Sequence, residues 1–264
     1  MTDSTKVRTS RGPAWALEKS YLVFRSLASM RHDDQLLAGF PKTGTTWVRY
    51  FLYSLLRQEL KGMRGTIDGM NDVMPEFAHP SICHAWEFGE CPRIIKTHWP
   101  YNLAFRNKNT LLLVRDPRDI VISYYHYASA SRSLAFDGSI GDVMRHKTMG
   151  IEAFMRHYSS WRRRAGLVVR FEDLKDDPVA QFAQIAAFFG ISNDLMRIEA
   201  AVKESKIDAM KKAQEQSDRL KNEFSGEFKF VRDGTSAQWE NLLTREDLDL
   251  YGQLKEQYKF ECYA

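Results

Sequence analysis

The 264-residue chain predicts an α/β fold: a single domain over residues 1–264, with a parallel β-sheet flanked by helices. Three observations carry that expectation. Four short apolar runs lack alternation, the pattern of strands buried on both faces. Segments with helical spacing separate those runs, so each strand can rejoin the sheet through a crossover. Two of the helical segments open on Asp-Pro, Asp116-Pro117 and Asp177-Pro178, where aspartate suits the N-cap and proline the first helical position.

Residues 1 to about 30 read as an N-terminal extension; Met1 to Arg11 is polar, without the apolar stretch of a signal peptide. The first strand is Leu36–Phe40. Pro41 and Gly44 end it, and Trp47–Glu59 reads as an amphipathic helix. A strand, a tight loop and a helix start together direct unpaired N–H groups and the positive end of the helix dipole at an anion. Lys42 precedes the loop's glycine, and Thr45 and Thr46 follow it. A Walker A loop instead places its lysine after the second glycine. The physics is that of a phosphate cradle, but the residue order is not that of an ATPase. Residues from about 62 to 90 have little periodicity and read as a long excursion that covers the site.

Arg93–Lys96 is the second strand. The third, Thr110–Arg115, runs into a helix over Pro117–Ala130. An arginine that ends an apolar strand stands at the carboxyl edge of a sheet, where ligands bind; its alternative is a surface ion pair. A helix over Ile151–Arg164, a strand over Leu167–Phe171 and a helix over Pro178–Phe189 follow, the last closed by Gly190. Residues from about 205 to 230 are charge-rich and read as a mobile lid rather than core.

Composition narrows the function. Hydrophobic residues make up 44% and charged residues 27%, an ordinary globular balance. A net charge of +4 suits anionic ligands and is too small to argue for nucleic acid. Arg162-Arg163-Arg164 reads as a solvated helix end. No apolar run approaches the length of a membrane span. Three cysteines, Cys83, Cys91 and Cys262, form no disulfide framework and fit a reducing compartment. His79, Cys83, His84 and Cys91 match no zinc-ligand spacing.

The segment Pro41-Lys42-Thr43-Gly44-Thr45-Thr46-Trp47 resembles the donor-binding loop of the soluble, cytosolic-type sulfotransferases, P-K-[ST]-G-T-T-W. Two further segments are similar to that family's motifs and occur in its order. Arg93-Ile94-Ile95-Lys96-Thr97-His98-Trp99-Pro100 resembles the segment with the catalytic histidine. Val114-Arg115-Asp116-Pro117-Arg118, with Ser123 in the next helix, resembles the second phosphate motif. The likeness runs more weakly to about Thr244. It implies the P-loop nucleotide-kinase-like sulfotransferase fold and a cytoplasmic enzyme, bacterial or eukaryotic. The activity it implies is sulfuryl transfer from 3′-phosphoadenosine 5′-phosphosulfate (PAPS), leaving 3′,5′-phosphoadenosine (PAP), with no metal.

By that resemblance, Lys42, Thr43, Gly44, Thr45 and Thr46 bind the 5′-phosphate, and Trp47 and Phe171 meet the adenine. Arg115 and Ser123 bind the 3′-phosphate, and His98 is the base, beside Lys96. Two residues apart in an extended segment, Lys96 and His98 point to one face. An imidazole with an ordinary pKa near 6.5 suits the base's task. Ser205 and Ile207 stand where the family has T-S-F, so an aliphatic side chain replaces an aromatic one beside the adenine. Arg232, Asp233 and Gly234 stand in the C-terminal R-K-G signature, with Asp233 in place of the lysine. Trp239 is kept. The family's dimer motif is not recognisable around Thr244, which leaves monomer and homodimer open.

The acceptor is the least determined partner. Met70, Met74, Phe77, His79, Trp86, Phe88, Trp99, Tyr101 and Tyr125 suggest an apolar or aromatic lining, with Phe77, Trp86, Trp99, Tyr101 and Tyr125 foremost, though all could be core. A small hydroxylated or phenolic compound is favoured over a glycan or lipid-linked sugar. The rival functions are a magnesium-dependent kinase, a β-lactamase-type acylase and a non-catalytic nucleotide binder. The acylase fails because no serine is followed by lysine three residues on.

Overall fold

A computed structural model describes residues 13–60, 66–224 and 234–263. Its sheet has four parallel strands, β1 (Gln35–Gly39), β2 (Ile94–Thr97), β3 (Thr110–Val114) and β4 (Leu167–Arg170), in the order β2-β1-β3-β4. The register pairs Leu37 with Lys96 on one side of β1 and with Leu111 on the other. All four strands are those expected, to within a residue or two. Arg115 falls just beyond β3, and Phe171 opens a short helix, Phe171–Asp176, rather than ending β4.

Successive strand residues face opposite sides, and the apolar runs therefore supply two cores. Leu37, Ile94, Leu111, Leu113 and Val169 enter one, with the helices Thr45–Arg57, Pro178–Phe188 and Leu195–Glu204. Leu36, Ala38, Ile95, Leu112 and Val114 enter the other, with the helices Pro117–Ala130 and Ile151–Trp161 and the C-terminal helix Arg245–Tyr258. Burial on both faces is why these strands read as continuous apolar runs.

The helix punctuation also holds. Asp116 accepts from the Arg118 N–H and Asp177 from the Ala180 N–H, each with proline in the first turn. Gly190, with φ of 68°, follows the Pro178–Phe188 helix.

Both excursions contribute residues to the cavity beyond the strands' carboxyl ends, and both are more ordered than loops. In the first, Pro75–Phe77 pairs alongside β2: the Phe77 N–H donates to the Lys96 carbonyl and the Lys96 N–H to the Pro75 carbonyl. This covers the edge of the sheet. In the second, the charge-rich segment is two helices, Ile207–Glu215 and Asp218–Glu223, rather than a lid apart from the core. Its charges flank Met210, Ala213, Leu220 and Phe224, which are buried in the first core. The part of that segment from 225 to 230 lies outside the described residues.

Candidate functional site

The strand order reverses beside β1, since β2 lies on one side of it and β3 on the other. At such a switch point the loops leaving adjacent strands diverge and open a crevice at their carboxyl ends. A cavity of about 450 Å³ occupies that position. The loop after β1 supplies Lys42, Gly44, Thr45 and Thr46 to its wall. The end of β2 supplies Lys96 and His98, and the end of β3 supplies Arg115.

The first loop is built to leave amides free. Gly44 takes φ of 98° and caps the Thr45–Arg57 helix without a side chain, so the opening N–H groups keep no side-chain acceptor. A Cβ at Gly44 would lie 2.5 Å from Phe171 Cδ2, so glycine is required by space as well as by conformation. Lys42 also takes a positive φ, 74°, and its Nζ sits 4.4 Å from the centre of the Tyr127 ring. Thr43 differs from expectation. It is wholly buried and does not line the cavity; its hydroxyl donates to the Phe40 carbonyl at 2.8 Å. Thr43 shapes the loop rather than facing a phosphate.

Backbone pairing brings a carboxylate to the second strand. Because Glu76 is the bridge partner of Lys96, their side chains meet, with Lys96 Nζ 2.6 Å from Glu76 Oε1. Burial lowers the Lys96 pKa to about 8, even with Glu76 beside it raising it. For Glu76, burial pushes upward, and Lys96, His98 and Arg49 together outweigh it and hold the carboxyl well below its usual range. Thr97, on the opposite face, is fully buried, and so Lys96 and His98 share the cavity side as their spacing implies.

His98 Nδ1 lies 2.6 Å from the Gly39 carbonyl. A carbonyl only accepts, so Nδ1 carries the proton and Nε2 is the lone-pair nitrogen. Burial, and then the Lys96 charge, lower the His98 pKa to about 3, far below the ordinary value. The imidazole is neutral throughout the physiological range.

The third strand leads to a different arrangement. Arg115 is buried; its Nη1 and Nη2 donate to the carbonyls of Lys42 and Thr235, and its Nε has no partner. The guanidinium lies 4.5 Å from the centre of the Phe171 ring. Asp119, Ser123 and Tyr127 recur at four-residue spacing on the Pro117–Ala130 helix, and all three line the cavity. Asp119 accepts from the N–H groups of Ala237 and Gln238, which folds the C-terminal segment back over Arg115. Arg118 stacks 3.7 Å from the Trp239 ring centre and anchors the same segment. Gly234 and Ile207, far apart in sequence, both reach this wall.

The other expected residues divide. Trp47 lines the cavity in edge contact with Phe171 and Phe182. Ser205 does not: it is wholly buried, and its hydroxyl donates to the Val202 carbonyl of its own helix. Arg232 and Asp233 lie outside the described residues.

None of the five foremost acceptor aromatics lines the cavity. Phe77 packs on Trp99 and Phe105, Tyr101 on Trp161, Tyr125 on Phe136, and Trp86 on Phe88. They are core or loop packing, the alternative that aromatic residues always carry. Of the wider set, Met70 and His79 do reach the wall. Missing from the sequence reading are Arg49, Asn71, Glu76, Asp119, Tyr124, Lys175 and Arg219, all of them lining residues. Only Asp119 had a usable signal, its four-residue offset from Ser123.

Among the described residues no three His, Cys, Asp or Glu side chains converge as a metal site. Nor is any described helix long and apolar enough to cross a membrane.

Known proteins resemble this chain in sequence and in fold. The chain is 28% identical to Cytosolic sulfotransferase 1 of Danio rerio over 239 residues, covering 81% of this chain and 78% of that protein. It is 27% identical to human Sulfotransferase 6B1 over 252 residues, 89% of this chain and 77% of the relative. Its match to human Sulfotransferase 4A1 is 26% over 185 residues, 65% of this chain, and spans 64% of that relative's length. Two solved structures share the fold. One is mouse sulfotransferase SULT7A1 complexed with PAP, with a TM-score of 0.68 at 18% identity over 94% of this chain and 92% of that one. The other is retinol dehydratase in a complex with retinol and PAP, with a TM-score of 0.72 at 16% identity over 94% and 86%. The sulfotransferase domain model matches residues 32–258, nearly the whole chain, and the chain belongs to the sulfotransferase family.

Proposed function

We propose that this protein transfers a sulfuryl group from PAPS to a hydroxyl, or an amine, of a small acceptor by in-line displacement, with His98 as the base. The observation that carries the reading is the His98 Nδ1 contact with the Gly39 carbonyl, in a cavity that also holds Lys42 and Lys96. It leaves Nε2 available to take a proton while two cations stand by for charge that develops elsewhere.

The residues present suit the donor. Two phosphates need two anion sites, and the Gly44 cradle and Arg115 are two such sites separated in sequence and joined by one cavity. Arg115 has a buried N–H without a partner, and Gly44 has no room for a side chain, both of which favour close approach by an anion. In this reading Lys42 and the amides from Gly44 to Thr46 hold the 5′-phosphate. Arg115 and Ser123 hold the 3′-phosphate, and Trp47, Phe171 and Ile207 line the space for the base. The donor supplies the activated sulfuryl group. Lys42 stabilises negative charge on the leaving phosphate, Lys96 stabilises the transferring oxygens, and His98 Nε2 takes the acceptor proton.

No metal is part of the proposal, because a sulfuryl group carries one charge fewer than a phosphoryl group. A reducing cytoplasmic setting is part of it, supported by free Cys83, Cys91 and Cys262.

The experiment is twofold. PAP at micromolar concentrations is expected to raise the thermal midpoint, and label from 35S-donor is expected to pass to a hydroxylated acceptor in EDTA. A kinase would lose activity in EDTA, and a chain that gains no stability from PAP does not use this donor.

A further inference from the structure

The cavity is not electrostatically even. Among the described lining residues, Lys42, Arg49, Lys96, Arg115, Lys175 and Arg219 face only two carboxylates, Glu76 and Asp119. Some of that excess has a use in the proposed reaction. Lys42 and Arg115 serve the donor phosphates, and Lys96 is already paired with Glu76 at 2.6 Å. Lys175 donates to the Ser236 hydroxyl beside the C-terminal segment. Arg49 has no such assignment.

Arg49 is 6% exposed and held by neutral groups only. Its Nη2 donates to Asn71 Oδ1 at 2.8 Å and to the Met74 carbonyl at 2.6 Å, and Nε has no partner. Among the described residues no carboxylate lies within ion-pair distance of it. A buried cation with no carboxylate in ion-pair contact, only Glu76 farther off, is costly, and folding tolerates it where an anion completes the site.

The position of Arg49 separates it from the donor phosphates. It lies one turn beyond Thr45 on the Thr45–Arg57 helix, and its bonds tie it to the stretch from Asn71 to Met74 that leads into Glu76. Its charge is felt by Glu76 and Lys96, the pair beside His98, whereas the charges felt by Arg115 are Asp119, Glu172 and Asp116. Arg219 adds a second cation at this end; it is more exposed and lies 3.5 Å from Asp68.

We infer that the acceptor is an acid: a hydroxylated compound carrying a carboxylate or similar compact oxyanion, which Arg49, with Arg219 nearer to solvent, binds while His98 faces the hydroxyl. The N–H groups on Nε and Nη1, left over from the two Nη2 bonds, remain for charge-assisted donation to an oxyanion. The inference rests on the sulfuryl-transfer reading and replaces an apolar acceptor with an acidic one.

The test uses three pairs of probes of increasing length, each a hydroxy acid and its primary amide, beginning with 4-hydroxyphenylacetic acid and 4-hydroxyphenylacetamide. Each is titrated into PAP-saturated full-length protein. The acid of at least one pair is expected to bind about 10- to 100-fold more tightly, the range for a hydrogen bond to a charged group. Arg49→Gln is expected to remove that preference while leaving affinity for the amide, for PAP and for intact donor unchanged. Arg219→Gln, at an exposed position that folding tolerates, is expected to reduce it by a smaller factor. Equal binding of acid and amide in all three pairs overturns the inference while the sulfuryl reading stands. So does a loss of donor affinity in Arg49→Gln with the acid preference retained. Failure of PAP to bind at all overturns the sulfuryl reading, and this inference with it.

Discussion

Arg115 and Lys96, at the two ends of the cavity, are held in opposite ways. At the end beyond β3, Arg115 is held by two carbonyls, with its carboxylate neighbours at a distance and Asp119 occupied by the backbone of Ala237 and Gln238. At the end beyond β2, Lys96 is locked directly to Glu76 by pairing between their backbones. The difference is one of purpose. A cation held by neutral groups keeps its charge for a ligand and binds tightly. A cation held by a carboxylate keeps a fixed place, and Lys96, whose pKa burial lowers in spite of Glu76, suits a group that acts only as charge develops.

The sharpest way to break the comparison is at Arg115. Arg115→Ala is expected to weaken PAP about 10- to 100-fold, the loss of a charged hydrogen-bonding group, measured by calorimetry. The discrimination between acid and amide acceptors at the other end is expected to survive. Gly44→Ala comes next. Its Cβ would meet the Phe171 ring and its φ is unsuited to alanine, so a destabilisation of about 1–3 kcal/mol is expected in denaturant melts, together with weaker PAP binding.

Glu76→Gln probes the other end through pH. In the free enzyme, Lys96 loses its proton near pH 8, so kcat/KM for the donor is expected to fall above that value. Glu76 raises the Lys96 pKa, so removing its charge is expected to move this alkaline limb to lower pH, with about a tenfold loss of activity at pH 8. An unmoved limb would mean that Lys96 is not the group titrating there. On the acid side, His98 stays neutral down to about pH 3, and the limb that an ordinary histidine imposes near pH 6.5 is expected to be absent. The same depression affects stability: the unfolded chain binds the His98 proton below about 6.5 while the folded one does not, so this contribution favours folding less as pH falls from 6.5 towards 3. The smallest effect is Thr43→Val, which removes one buried hydrogen bond to the Phe40 carbonyl. It is expected to cost about 1 kcal/mol with little change in PAP affinity.

Much of this site was legible because strands place their own ends. Once Leu36–Phe40, Arg93–Lys96 and Thr110–Arg115 are recognised as adjacent parallel strands, Lys42, His98 and Arg115 must meet at one sheet edge, however far apart they stand in the chain. Arg49 and Glu76 were not legible in this way. Arg49 sits among the buried residues of its helix, where one arginine between Val48 and Tyr50 has no periodic signal. Glu76 reaches Lys96 through one isolated bridge in a stretch without periodicity. Thr43 and Ser205 show the opposite error: hydroxyls in apparent ligand positions are used by the backbone beside them. The acceptor aromatics differ from expectation for a similar reason, since Phe77 and Tyr101 pack on other aromatic rings and do not line the cavity.

The most direct test of the central claim separates chemistry from binding at one residue. His98→Ala is measured both for transfer of label from 35S-donor and for its dissociation constant with PAP. The account predicts a fall in kcat of about 10²- to 10⁴-fold, the range for loss of a general base, with the PAP constant within a factor of about two of the parent. Full transfer by His98→Ala with unchanged PAP binding would contradict it.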